Sequence, residues 1–302
     1  MPTKPHPAPL GCLSAVALLV GLGGLASAAF LQHQGELWGS ALPATSPSTT
    51  SSPAAPPPNE VVVPANSPWI PGTIITLTEE YPVPGIAFDK TTCTVAFTFT
   101  DAAGQGYAVT ASHCGHVDEL VWPADARTEF DFSYEAGRVI YSGLDDPGAD
   151  GYAADVGIIK LTDAGSYMAP ASGALGETLL HEGPGEAGLC KVGATTGWTC
   201  GEAGMREQPY RMTHPGTGQE LLSRGDTALL CAQTGDSGGP VVGTLDDRQV
   251  VVGLVSGITA GGTCTGDDPA GIQVAYVPMA VILDTIREVV PDAQLVPTAP
   301  SH

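Results

Sequence analysis

A serine able to act as a nucleophile sits in Thr234-Gly235-Asp236-Ser237-Gly238-Gly239-Pro240. Five of these seven residues are Gly, Ser or Pro, and apolar runs flank the loop (Ala228-Leu229-Leu230 and Val241-Val242). A tight loop between strands presents a hydroxyl on a rigid scaffold. Gly235 frees the backbone for conformations closed to other residues, so that its N–H and that of Ser237 can converge on a developing oxyanion. A serine hydroxyl is a weak nucleophile until a base takes its proton. Two upstream segments supply what is missing. Tyr107-Ala108-Val109-Thr110-Ala111-Ser112-His113-Cys114 ends a short strand on a histidine, and Asp155-Val156-Gly157-Ile158-Ile159-Lys160-Leu161 opens an apolar strand on a carboxylate. The order nucleophile-last, His113–Asp155–Ser237, distinguishes one of the known Ser-His-Asp lineages from the others. Other candidates compete less well. His116 lacks the strand-end context and reads as an exposed or capping histidine. His181 and His214 lie in polar, glycine-rich stretches and receive no role. Asp145, Asp146 and Asp150 occupy a Gly/Pro turn and read as solvated, with no ligand spacing that demands calcium.

These side chains must be positioned by a mostly β chain. Short apolar runs recur at Thr73–Leu77, Thr94–Thr100, Gly106–Thr110, Glu119–Trp122, Phe130–Tyr134, Arg138–Tyr141 and Val156–Leu161. A second set covers Gly188–Val192, Gly197–Gly201, Ala228–Cys231, Pro240–Val242, Val250–Val255 and Ile272–Tyr276. Strands at this spacing, separated by turn signals and lacking long amphipathic helices between them, predict barrels or sandwiches. Pro278–Val290 carries a helical stripe of Met279, Val281, Ile282, Ile286, Val289 and Val290, with Pro278 suited to a first helical position. Ahead of this domain, residues 40–68 are largely Pro, Ser, Thr and Ala, a composition that makes a spacer rather than a core. Lys4 followed by the uncharged run Leu10–Phe30, ending Ala26-Ser27-Ala28-Ala29, has the layout of a secretory signal cleaved after Ala28. An uncleaved anchor is the alternative, since about twenty apolar residues suffice to cross a bilayer.

Seven cysteines are present: Cys12 in the leader, and Cys93, Cys114, Cys190, Cys200, Cys231 and Cys264 beyond it. No Cys/His spacing suits zinc, so six cysteines in the folded part read as disulfides of an oxidising compartment, in any of fifteen pairings. The net charge of −21 with 11 Lys+Arg excludes a nucleic-acid partner, which requires a basic face.

Four segments together resemble the chymotrypsin-fold (trypsin-like) serine peptidases, and within them the secreted bacterial branch similar to α-lytic protease and the streptogrisins. They are Thr110-Ala111-Ser112-His113-Cys114, Asp155-Val156-Gly157-Ile158-Ile159, Cys190-Lys191-Val192-Gly193-Ala194-Thr195-Thr196-Gly197-Trp198-Thr199-Cys200-Gly201 and Cys231-Ala232-Gln233-Thr234-Gly235-Asp236-Ser237-Gly238-Gly239-Pro240. The resemblance covers roughly residues 85–290. It implies an all-β fold of two antiparallel β-barrels with a short C-terminal helix, preceded by a signal or anchor and a disordered Pro-rich linker. The implied layout is 1–29 signal or anchor, 30–71 linker, 72–185 N-terminal barrel, 186–292 C-terminal barrel and helix, and 293–302 tail. It implies a serine endopeptidase with His113, Asp155 and Ser237 as the triad, Gly235 and Ser237 as the oxyanion hole, and no cofactor or metal. It selects the pairings Cys93–Cys114, Cys190–Cys200 and Cys231–Cys264. It also implies a partner for Asp236. No Ile-Val-Gly-Gly start occurs, and where the bacterial relatives have an arginine this chain has Lys191, so a Lys191–Asp236 ion pair is expected. The pocket walls map to Ala232, Gln233, Thr234, Ser256, Gly257 and Ile258. No acid lies between Thr227 and Thr234, and no histidine between His214 and His302. A branched Ile258 then predicts a narrowed pocket for small or medium apolar residues.

The expected partner is a protein or peptide substrate, acted on by a secreted monomer, with anchorage through residues 10–30 as the alternative localisation. The competing reading from another class is a protease-fold binding module without activity. Arg224-Gly225-Asp226 spells an adhesion tripeptide, but three residues recur by chance and these precede a predicted strand.

Overall fold

A computed structural model describes residues 60–62, 69–83, 86–123, 135–162, 179–183, 188–262, 264 and 272–297. The leader, most of the spacer and the expected strand Phe130–Tyr134 lie outside the described residues. In chain order the strands are β1 (Glu60–Val62), β2 (Ile74–Thr78), β3 (Thr91–Thr94), β4 (Phe97–Thr100), β5 (Gly106–Thr110), β6 (Leu120–Pro123), β7 (Gly137–Ser142), β8 (Gly157–Leu161), β9 (Leu179–His181), β10 (Leu189–Gly193), β11 (Gly197–Ala203), β12 (Gln208–Thr213), β13 (Glu220–Leu229), β14 (Pro240–Leu245), β15 (Arg248–Ala260), β16 (Gln273–Pro278) and β17 (Val296–Pro297). A 3-10 turn spans Ser112–Cys114, and the helix α1 spans Met279–Val289.

The first sheet has seven strands in the order β3-β2-β6-β7-β8-β5-β4. Its edges meet because β3 and β4 are separated only by Val95 and Ala96. Val95 N–H donates to Thr73 O and Ala96 N–H to Val109 O, both at 2.8 Å. The single strand expected over Thr94–Thr100 is therefore two, turned at Val95-Ala96. Phe97, Phe99, Val109, Ile158 and Ile159 from these strands are buried in one cluster. The second sheet has ten strands, with β16 pairing both β13 and β15, so the path β13-β11-β10-β14-β15-β16 closes on itself. Leu189, Leu230, Val241, Val252 and Val274 fill its interior. Pairing between these strands is antiparallel apart from one contact between β9 and β15, and an isolated parallel bridge joins Ala153 to Ser223.

Three differences from the expected layout stand out. Glu60–Val62, inside the span read as linker, pairs with β9 and β17. β17 falls in the span read as tail. β9 lies before residue 186 yet pairs into the second sheet. All three strands are two or three residues long, too short to leave a periodic signal. The helix starts at Met279, with Pro278 as its extended cap. Met279, Ile282, Leu283 and Ile286 face the core while Val281 is half exposed. No helix among the described residues is long and apolar enough to cross a membrane.

Candidate active site

His113 sits in the 3-10 turn that follows β5. The turn is closed by Cys114 N–H to Ala111 O and Gly115 N–H to Ser112 O, each 3.2 Å. It is tethered by the Cys93–Cys114 disulfide and by Ser112 Oγ, 2.5 Å from Ser142 Oγ. Asp155 lies immediately before β8, with Gly157 opposite Thr110 across the β5–β8 pair. It is fully buried. Its Oδ2 accepts from His113 Nδ1 at 2.9 Å and its Oδ1 from the His113 backbone N–H at 2.9 Å, so one carboxylate fixes both the ring and its turn. On the far side of the ring, His113 Nε2 stands 2.8 Å from Ser237 Oγ. The imidazole is 22% exposed.

Charges follow from this burial. Burial pulls His113 toward its neutral form, but the adjacent Asp155 charge and hydrogen bond push harder, and the net shift is upward. Burial would raise Asp155; the His113 charge and bonds from His113 and Ser256 outweigh it and hold the carboxylate below its ordinary range.

Ser256 was expected on the pocket wall. Its hydroxyl is instead buried and donates to Asp155 Oδ2, while Tyr210 Oη donates to Ser256 Oγ at 2.9 Å. The side chain is turned inward by these two bonds and offers no surface to a pocket. Ala232 is likewise only 2% exposed and packs in the second core. Gln233, Thr234 and Ile258 are exposed. A side chain placed at Gly257 would point into space with no atom within 4 Å.

The loop that carries Ser237 is built around a carboxylate. Asp236 N–H donates to Gln233 O at 3.0 Å and Gly235 has φ +101°, a turn with glycine at its third position. A Cβ at Gly235 would come within 2.5 Å of Thr195 Oγ1. Among the described residues no acceptor takes the backbone N–H of Gly235 or of Ser237. Asp236 Oδ1 accepts from Thr195 N–H (2.8 Å) and Thr196 N–H (3.0 Å). Its Oδ2 accepts from Thr196 Oγ1 (2.6 Å), Gln233 N–H (2.9 Å) and Lys191 Nζ (3.1 Å). Both members of the ion pair are 0% exposed. Lys191 Nζ also donates to Thr196 Oγ1 and, at 3.0 Å, to Gly197 O. Burial pulls the lysine down against the attraction of Asp236. For Asp236, burial is outweighed by the Thr196 hydroxyl, Lys191 and two backbone N–H groups, so its carboxyl is held low.

Thr94, which carried no signal in the sequence, joins the two sheets at this loop. Its N–H donates to Ser237 O (2.8 Å) and its Oγ1 donates to Gly235 O (2.8 Å) while accepting from Ala194 N–H (3.0 Å). Cys190 and Cys200 face each other across β10–β11 and are bonded, as are Cys231 and Cys264. Among the other candidates, His214 Nε2 lies 2.5 Å from Asp145 Oδ1, and Asp150 3.7 Å from Arg224. The Arg224-Gly225-Asp226 tripeptide lies inside β13, paired on one side with β12 and on the other with β16; Asp226 is buried beside Arg206.

The chain is 27% identical over 179 residues to Streptogrisin-C of Streptomyces griseus, a match covering 57% of this chain and 34% of that protein. The chain thus spans about a third of that relative's length. The fold is similar to solved structures of Thermobifida fusca Protease A (23% identity, TM-score 0.49, 76% of this chain and 98% of that one) and Nocardiopsis Protease (23%, TM-score 0.47, 72% and 96%). The Trypsin family model matches residues 90–285, which include every residue of the cluster around Ser237, and on that match the chain belongs to the Trypsin family.

Proposed function

We propose that this chain is a secreted serine endopeptidase working through an acyl-enzyme. The observation that carries the reading is the line Asp155 Oδ2–His113 Nδ1, 2.9 Å, and His113 Nε2–Ser237 Oγ, 2.8 Å. In this reading Ser237 Oγ attacks the scissile carbonyl carbon while its proton passes to His113 Nε2. The new oxyanion is held by the N–H groups of Gly235 and Ser237. The C–N bond then breaks as His113 returns the proton to the leaving amine, and water repeats the sequence to release the acid. Asp155 holds the ring in the Nδ1–H tautomer and balances its cation. The Lys191–Asp236 pair acts one step back, fixing the turn that aims the two donors.

The substrate class is a protein or peptide, with small or medium apolar residues before the cut. Supporting this, no acid lies between Thr227 and Thr234, and Asp226 is buried beside Arg206 rather than open to a cationic side chain. Ile258 adds a branched, half-exposed side chain beside the open space at Gly257. Secretion is supported by three disulfides, which persist in oxidising compartments.

Digestion of a peptide library by the full chain, with Ser237→Ala as control, tests the reading. Cleavage after Ala and Val that vanishes in the variant is expected. A preference for Phe, Tyr, Lys or Arg would overturn the specificity, and cleavage that survives Ser237→Ala would overturn the mechanism.

A further inference from the structure

A second group of polar side chains lies three residues beyond His113 and takes no part in the chemistry above. Glu79 follows β2, His116 follows the 3-10 turn, and Glu119 precedes β6. Each offers one ligand atom, and these atoms all lie within 4.8 Å of one another. His116 Nε2 is 3.8 Å from Glu119 Oε1 and 4.0 Å from Glu79 Oε1, beyond hydrogen-bond range in both cases. The ring is oriented from the other side: His116 Nδ1 donates to Val117 O at 2.9 Å, so Nε2 faces the two carboxylates.

Glu119 is the second indication. It is 8% exposed, and its Oε2 is buried with no hydrogen-bond partner among the described residues. A buried carboxylate oxygen left without a partner is unfavourable, and a cation bound to the group would relieve that. The side chain also borders a groove of about 410 Å³ running along Leu77, Glu80, Tyr81 and Phe88, so the cluster is reachable from solvent.

We infer that Glu79, His116 and Glu119 form a site for one Zn²⁺ ion, completed by water. An imidazole nitrogen with two carboxylate oxygens suits zinc, whereas calcium and magnesium prefer all-oxygen shells. Donation of the second ring N–H to a backbone carbonyl is the usual support of a zinc-bound histidine. Two atoms bound to a tetrahedral zinc stand roughly 3.5 Å apart, so the two separations from His116 Nε2, 3.8 and 4.0 Å, need to close by only a few tenths of an ångström, and Glu79 is an exposed side chain free to swing. The ion would tie the end of β2 to the segment that leaves the catalytic turn.

Zinc titration of the chelator-treated full chain, read by calorimetry and by Tm, tests this. One Zn²⁺ per chain is expected, with Tm raised by about 5–10 °C at a free concentration a hundredfold above Kd. Glu79→Gln, at an exposed position that leaves folding intact, and His116→Gln should each weaken binding by at least about tenfold. His113→Ala and His214→Ala should leave it unchanged, and equimolar Ca²⁺ should not compete. Failure to take up zinc would overturn the site. So would uptake that survives Glu79→Gln and His116→Gln, or that is lost in His113→Ala or His214→Ala.

Discussion

At the scale of the residue, reactivity depends on which atom of His113 carries a proton. The Asp155 contact pins Nδ1–H, so Nε2 faces Ser237 as an acceptor, and in the proposed mechanism the ring serves as base only when neutral. Because Asp155 raises the imidazole, the acid limb of kcat/KM should lie above the ordinary histidine value of about 6.5; a pH–rate profile with a midpoint at or below that value would contradict the assignment. Removing the Ser256 hydroxyl concentrates charge on Asp155, so Ser256→Ala should move that limb further upward, measured in the same profile. Gly235→Ala meets a positive φ and the Thr195 hydroxyl together. Displacing its N–H from the proposed oxyanion position should lower kcat by about 10²–10³, with KM for a short peptide little changed. The three side chains of the Asp155–His113–Ser237 line could be picked out in the sequence because the proposed acyl transfer restricts them to a few residue types in recognisable local contexts. Thr94 and Tyr210 were not. Each acts through one hydroxyl whose partner is far along the chain, and neither residue type nor spacing reveals that.

At the scale of the element, the turn proposed to aim the oxyanion donors is held by the β10–β11 hairpin. Lys191 on β10 and Thr195-Thr196 in the hairpin turn together present one cation and three donors to Asp236. Replacing the lysine leaves a buried carboxylate unpaired. Lys191→Met should therefore destabilise the chain by about 3–5 kcal/mol in urea unfolding and lower kcat, whereas full stability and turnover would refute the support role. The disulfide that closes the same hairpin spans ten residues, and its removal in Cys190→Ser/Cys200→Ser should cost about 3 kcal/mol by loop entropy. Most strands here were legible from apolar runs bounded by turns. The β12–β13 hairpin was not, because β12 carries Gln208, Pro209 and Arg211, and the first half of β13 is largely polar. Yet this hairpin brings Tyr210 to Ser256, and its Ser223 donates to Ala153 O at 2.8 Å, reaching the segment just before Asp155. Tertiary pairing overrode local preference there.

At the scale of the whole molecule, two sheets meet where the chemistry is, and the charges buried at the meeting make stability depend on pH. Asp155 and Asp236 have depressed folded values. The stability they contribute is full above the ordinary carboxylate range and is lost as pH falls through their folded values. His113 behaves oppositely: its raised value adds stability below the ordinary imidazole value, lost as pH rises through the folded one. Tm should therefore drop steeply in acid, and Asp236→Asn, although less stable at neutral pH, should show a shallower acid decline. The overall two-sheet plan was legible in strand spacing and motif order. The contributions of β1, β9 and β17 were not, since strands of two or three residues leave no pattern. The central claim is that Ser237 is activated by His113, and covalent labelling tests it most directly. The full chain treated with a fluorophosphonate at pH 8 should acquire one adduct, mapped by mass spectrometry to Ser237 and absent in His113→Ala. No adduct, an adduct elsewhere, or equal labelling of the His113→Ala variant would contradict the account.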